Sequence, residues 1–226
     1  MNSLETELEA ARELDEADLA DAIESIGFEC TRCGACCKGY EPEQSDETGE
    51  REPHTATVFP DEVRELQSTT EYDWRDVARP MPYGLAEGDD GPEGETFEWA
   101  LQTDSCGDCT FYTEHEDGTG SCGVHDDRPL ICQTYPFSVD LSGTSQPMGE
   151  AVDEHGDVRA HECEGLGRDI SRAEAEELAS ALKQRAVREI KEAIGVRDNY
   201  EPTDRDGVVV YDSEGAKTAD GRPLDG

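Results

Sequence analysis

The sequence predicts an α+β protein: a small, irregular, cysteine-rich domain built around a metal and flanked by N- and C-terminal helices. Three observations carry this. Apolar residues recur at helical spacing near both ends of the chain. Between them lie short strand-like runs separated by turn residues. Four cysteines, Cys30, Cys33, Cys36 and Cys37, fall within eight residues.

Residues 3–26 carry Leu4, Leu8, Ala11, Leu19, Ala22, Ile23 and Ile26 near helical spacing. Asn2 with Glu5 offers a capping box, Asp15 divides the stretch into two helices, and Gly27 supplies a C-cap. Residues 41–56 are polar and punctuated by Gly and Pro, which predicts a loop. Pro60 opens a helix through about Gln67 with Val63 and Leu66 facing inward. Trp74 to Ala78 adds a further helical turn. Four glycines and three prolines between Pro80 and Gly94 predict a loop or insertion. The run from Thr96 to Gln102 alternates and reads as a strand. Two short strand-like pieces, starting at Phe111 and at Cys122, flank the turn Glu116–Gly120. From Ser171 to Ile194 the pattern is that of one long helix, with a Ser171/Glu174 capping box. Its stripe of Leu178, Leu182, Ala186, Ile190 and Ile194 reads as core packing, and Gly195 is its expected end. The last thirty residues hold one β-rich run, Gly207 to Ser213, as a docked hairpin or a loose tail.

The 226-residue chain carries 19 Lys+Arg against 56 Asp+Glu, a net charge of −37. Such a charge either prevents collapse or belongs to a protein that works in concentrated salt, where self-repulsion is screened. The acid is spread along the chain and only four bases are lysines, Lys38, Lys183, Lys191 and Lys217. This favours the halophilic reading. It also argues against nucleic acid as a partner, since phosphate backbones demand clustered Lys and Arg. The start of the chain has no basic stretch followed by an apolar one. No apolar run approaches the ~20 residues of a membrane span. The expected location is the cytoplasm, with no membrane partner. Nine cysteines in a reducing compartment point to metal binding or catalysis rather than disulfides.

Two-residue gaps let successive thiolates of Cys30, Cys33 and Cys36 converge on a metal, and Gly34 permits the tight backbone this needs. The spacing is similar to the first three ligands of a ferredoxin-type iron–sulfur site, without its Cys-Pro fourth ligand. Adjacent Cys36 and Cys37 are awkward partners for one ion, because neighbouring side chains tend to diverge. They either serve two metals, or one ligates and the other packs. The second group is Cys106, Cys109, Cys122, Cys132 and Cys163. Together the groups supply two four-thiolate sites with one thiol spare. Arg32, Lys38 and Arg128 sit among the cysteines, where cations offset thiolate charge around the bound cofactor. His161 is a further ligand candidate, weighed against an ordinary surface histidine, which is favoured. The chain has no radical-SAM cysteine spacing, GxGxxG, P-loop, HExxH or GxSxG. No thioredoxin-like alternation surrounds the CxxC of Cys106 and Cys109.

Cys-Thr-Arg-Cys-Gly-Ala-Cys-Cys at 30–37 resembles the CxxCxxCC signature of the YkgJ-type cysteine cluster family of zinc- or iron-chelating domains. The likeness continues through Cys109-Thr110-Phe111-Tyr112, the turn Asp117–Gly120, Cys122-Gly123-Val124-His125, Arg128-Pro129, Cys132-Gln133, Tyr135-Pro136-Phe137 and Cys163-Glu164-Gly165. It departs at His125, where an aromatic is usual, and at Gln133, where Arg is usual. The resemblance spans residues 28–167. It implies eight shared ligands, Cys30, Cys33, Cys36, Cys37, Cys109, Cys122, Cys132 and Cys163, with Cys106 the spare. The cofactor it implies is zinc or iron, the latter also as a 4Fe-4S cluster. The resulting division is a helical segment over 1–27, a cysteine-cluster metal-binding domain over 28–167, a helix over 168–195 and a polar extension over 196–226. One branch of the family resembles S-adenosylmethionine-dependent protein lysine N-methylases. That enzymatic reading, like a metal chaperone or storage role, stands as the alternative to plain chelation.

Overall fold

A computed structural model describes residues 3–40, 51–89, 91–141, 148 and 150–224. In chain order the elements are α1 (Leu4–Glu13), α2 (Glu16–Ile26), β1 (Thr57–Val58), α3 (Pro60–Thr69), α4 (Trp74–Val77), β2 (Ala78–Pro80), β3 (Leu85–Gly88), β4 (Gly91–Thr96), β5 (Trp99–Leu101), β6 (Tyr112–Glu114) and β7 (Gly120–Cys122). They continue with α5 (Leu130–Thr134), β8 (Phe137–Val139), β9 (Ala151–His155), β10 (Val158–His161), α6 (Arg172–Asn199), β11 (Val208–Asp212) and β12 (Gly215–Thr218). The fold is mixed α+β. It divides into two compact units, one of residues 1–33 with 130–194 and one of residues 34–129 with 195–226.

The first unit is helical around a small sheet. Asp15 separates α1 from α2 as expected: its carboxylate accepts from the Ala17 and Asp18 amides. Ser3 caps α1, accepting from Thr6; the expected cap, Asn2, lies outside the described residues. β8, β10 and β9 form an antiparallel sheet with β10 in the middle. Leu8, Ala11, Leu19, Ile23 and Ile26 pack with Phe137, Val158, Ala160, Ala179, Leu182, Ala186 and Ile190 in one apolar cluster. The terminal helices therefore share a core. The Ser171/Glu174 capping box is present, with Ser171 N–H donating to Glu174 (3.0 Å) and Glu174 N–H to Ser171 Oγ (3.3 Å). Arg185, 3% exposed, donates to Thr134 Oγ1 (3.1 Å) and the Phe137 carbonyl (3.2 Å) and pairs with Glu189 (2.7 Å). A buried guanidinium needs this degree of satisfaction.

The second unit is built from short strands. β1, β5 and β2 form one sheet, and β12, β11, β4 and β3 another. Pro60 starts α3 and buries Val63 and Leu66, as its pattern required. Residues 80–94, expected to be a loop, contain the β3–β4 hairpin, and β4 pairs in parallel with β11. The glycines that suggested a loop serve the strands. Gly84 and Gly94 hold φ of 87° and 126°, and a Cβ on Gly94 would lie 2.6 Å from the Gly84 carbonyl. Gly195 does not end α6, which runs on to Asn199. That glycine is needed for close approach, since a Cβ there would sit 2.6 Å from the Ser213 Cβ. The run at 208–212 does form a hairpin with β12.

Inside this unit Lys217 and Asp212, 4% and 3% exposed, pair at 2.7 Å. Trp99 Nε1 donates to Asp212 (2.8 Å), and the ammonium lies 5.4 Å from the Trp74 ring centroid. Lys217→Ala strands a buried carboxylate, so urea denaturation should show a loss of about 3 kcal/mol. Over the chain as a whole, acid outnumbers base 56 to 19. Raising NaCl from about 0.1 to about 1 M shortens the screening length from about 10 to about 3 Å. The melting temperature of the metal-free chain should then climb by about 5 °C, corresponding to about 2 kcal/mol.

Candidate metal centre

In the first unit, Gly27 ends α2 with φ 78° and its carbonyl accepts from Gly167 N–H (3.0 Å). Phe28 bridges to Leu166, and Glu29 N–H donates to the Gly165 carbonyl (3.0 Å). A Cβ on Gly165 would stand 2.3 Å from the Glu29 carbonyl, so only glycine admits the crossing. The crossing sets Cys30 beside the turn that carries Cys163. In that turn Gly165 N–H points at Cys163 Sγ (3.4 Å). An amide aimed at sulfur is the arrangement that stabilises a metal-bound thiolate. Arg32, with φ 57°, forms the bend between Cys30 and Cys33. Cys132 lies on α5, whose end is tied to the same region. His161 N–H donates to the Pro136 carbonyl (2.9 Å), and the Tyr135 hydroxyl donates to the carbonyl of Glu162.

In the second unit, Gly34 (φ 76°) leads into a single tight turn over Ala35–Cys37. A side chain there would collide with the Tyr112 hydroxyl, 2.1 Å from an added Cβ. The turn brings the sulfurs of Cys36 and Cys37 to 3.8 Å. Their expected divergence does not occur, because the turn rotates both side chains to one side. Two sulfurs on one tetrahedral zinc, each bonded at about 2.3 Å, stand about 3.8 Å apart. The Cys37 carbonyl accepts from Cys109 N–H (2.8 Å), and Tyr112 N–H closes a turn onto the Cys109 carbonyl (2.9 Å). Across the β6–β7 ladder, Cys122 faces Tyr112.

The family model described as "CxxCxxCC: Putative zinc- or iron-chelating domain" matches residues 29–164. The chain belongs to this family. No curated protein and no solved structure matches it. The CxxCxxCC match encloses every cysteine of the chain. Thiolate is the donor that suits zinc and iron alike, so the donor chemistry fits the metals of the family description. Among the described residues no three His, Cys, Asp or Glu side chains already stand together closely enough to hold an ion. Ligation therefore requires further thiols to turn in.

The electrostatics differ from thiol to thiol. A hydrogen bond from Cys37 holds Cys36 down to about 7 against desolvation, and the Arg128 guanidinium adds to the lowering. Burial, with a smaller push from the nearby Cys122 and Cys36, raises Cys109 to about 11. The Lys38 ammonium pairs with Glu114, which also accepts from the Tyr112 hydroxyl (3.0 Å). Tyr112 and Glu114 were invisible as site residues, because only the β6–β7 register brings them beside Lys38. Cys106 is exposed. Its backbone is held by Asp104 (2.8 Å) and Arg51 (3.3 Å). His161 is not a surface histidine. It is 5% exposed, with Nε2 2.7 Å from Ser138 Oγ; β10 turns it into the sheet.

In metal-free protein iodoacetamide should therefore reach Cys36 early and Cys109 late. The Cys36 rate rises with pH to half its maximum near pH 7, because the thiolate is the nucleophile. Peptide mapping of alkylated protein from pH 5 to 10 measures both.

Proposed function

We propose that this protein is a chelator that holds zinc or iron through thiolates, with Cys30, Cys33, Cys36, Cys37, Cys109, Cys122, Cys132 and Cys163 as the donors. The observation that carries the reading is the Cys36–Cys37 pair, whose 3.8 Å sulfur separation matches two corners of a thiolate tetrahedron. The amide directed at Cys163 Sγ supports it independently. A bound ion would supply folding free energy by crosslinking segments far apart in sequence. The protein's own part is to present thiols on short turns, to direct amides at sulfur and to place Arg128 near Cys36. Loading releases protons, since thiols must ionise to bind.

Exposure favours a second reading of how the metal is used. Cys30 and Cys36 are exposed, so at least part of the donor set meets solvent and partner ligands. This suits exchange of metal in the manner of a chaperone or store.

Anaerobic purification, elemental analysis and an absorption spectrum test the reading. The expected result is stoichiometric zinc in a colourless protein, or iron with visible charge-transfer bands. Protein free of both metals would refute it. Cys33→Ser or Cys122→Ser should bind less metal than wild type and lose the stability that the missing ion supplies, since structural metal contributes folding free energy. Metal retained against excess chelator would exclude the exchange role.

A further inference from the structure

Resting on the chelation reading, we infer that the eight thiols form two separate four-sulfur sites, Cys30–Cys33–Cys132–Cys163 and Cys36–Cys37–Cys109–Cys122, each taking one thiophilic ion.

The chain's division into compact units falls at the Cys33–Gly34 peptide bond. Residues 1–33 and 130–194 contain Cys30, Cys33, Cys132 and Cys163. Residues 34–129 contain Cys36, Cys37, Cys109 and Cys122, with Cys106 in addition. Four sulfurs per set is the number that closes a tetrahedral structural site.

Each set is joined by its own backbone bonds. In the first, Glu29 N–H to Gly165 places Cys30 at the Cys163 turn. The Tyr135 hydroxyl on the Glu162 carbonyl brings the end of the Cys132 helix to that turn. Cys33 follows Cys30 around the Arg32 bend. In the second, Cys109 N–H bonds directly to the Cys37 carbonyl, and Gly123 N–H bonds to the Phe111 carbonyl (2.8 Å). Cys122 thereby stays beside the Cys109–Tyr112 turn. Cys36 and Cys37 are two donors of the same set, because their sulfurs converge at 3.8 Å. Charge agrees with separation. Four thiolates on a divalent ion carry about −2, and two such centres are easier to accommodate apart than fused in a chain of net charge −37. Cys106 stays outside both sets, with its exposed thiol on the loop organised by Asp104.

Cobalt(II) titration of the reduced full-length chain, followed by thiolate-to-metal absorption, provides the test, with zinc content by elemental analysis as a second measure. Wild type and Cys106→Ser should both saturate at two equivalents. Cys122→Ser and Cys132→Ser should each keep one, and the double variant none. Saturation of the wild type at one equivalent would overturn the inference without any variant being needed. So would loss of both equivalents from each single variant while circular dichroism still reports folded protein. Absence of any binding would overturn the chelation reading itself and this inference with it.

Discussion

A single backbone hydrogen bond, from Cys109 N–H to the Cys37 carbonyl at 2.8 Å, joins cysteine segments that lie more than seventy residues apart in sequence. The Glu29 to Gly165 bond does the same for Cys30 and Cys163. The rest of the cysteine architecture depends on these contacts. Closing such long loops costs entropy that grows only slowly with loop length, yet one hydrogen bond recovers only about 1 kcal/mol. Each contact is accompanied by further supports. Gly165 removes a Cβ from the path of Glu29. Phe28 sets its ring edge against Phe137, 5.7 Å between centroids. Asp108 accepts from Gly39 N–H at 2.9 Å, and Arg51 reaches the same carboxylate.

Scarce cations explain much of what remains. With 19 basic side chains among 56 acidic ones, a lysine or arginine near the cysteines has many carboxylates competing for it. Lys38 is drawn to Glu114, and Arg172 bridges Asp21, Glu24 and Glu176. Exposed pairs of this kind add little stability individually. Arg185 and Lys217 are different, because each is itself buried and meets a carboxylate of its own unit.

Much was legible in the sequence where a local signal decided the outcome. The helices at both ends, the Asp15 break, the Ser171 cap and the 208–212 strand follow from periodicity and capping. Residues 80–94 misled because glycine and proline mark turns and also permit close strand pairing; the partner that decides, β11, lies more than a hundred residues away. Gly195 misled for the same reason. At the site, spacing identified the cysteines as a group. The side chains' convergence at Cys36–Cys37 depends on one turn and could not be read from adjacency. Tyr112, Glu114 and the burial of His161 depend on strand register, which the sequence expresses only weakly over three-residue strands.

One edge of the β8–β10–β9 sheet has a consequence for how the protein behaves as salt is varied. Every residue of β9 is exposed, and Asp153 and Glu154 lie in its middle. Among the described residues β9 is an edge strand; such an edge invites another chain to add itself, and charge is a common guard against that. In dilute buffer the guard is at full strength while the whole chain strains against its own repulsion. In concentrated salt the chain relaxes, but the same screening lowers the guard on β9. Solubility and foldedness are thus set against each other along this strand, and self-association would begin there.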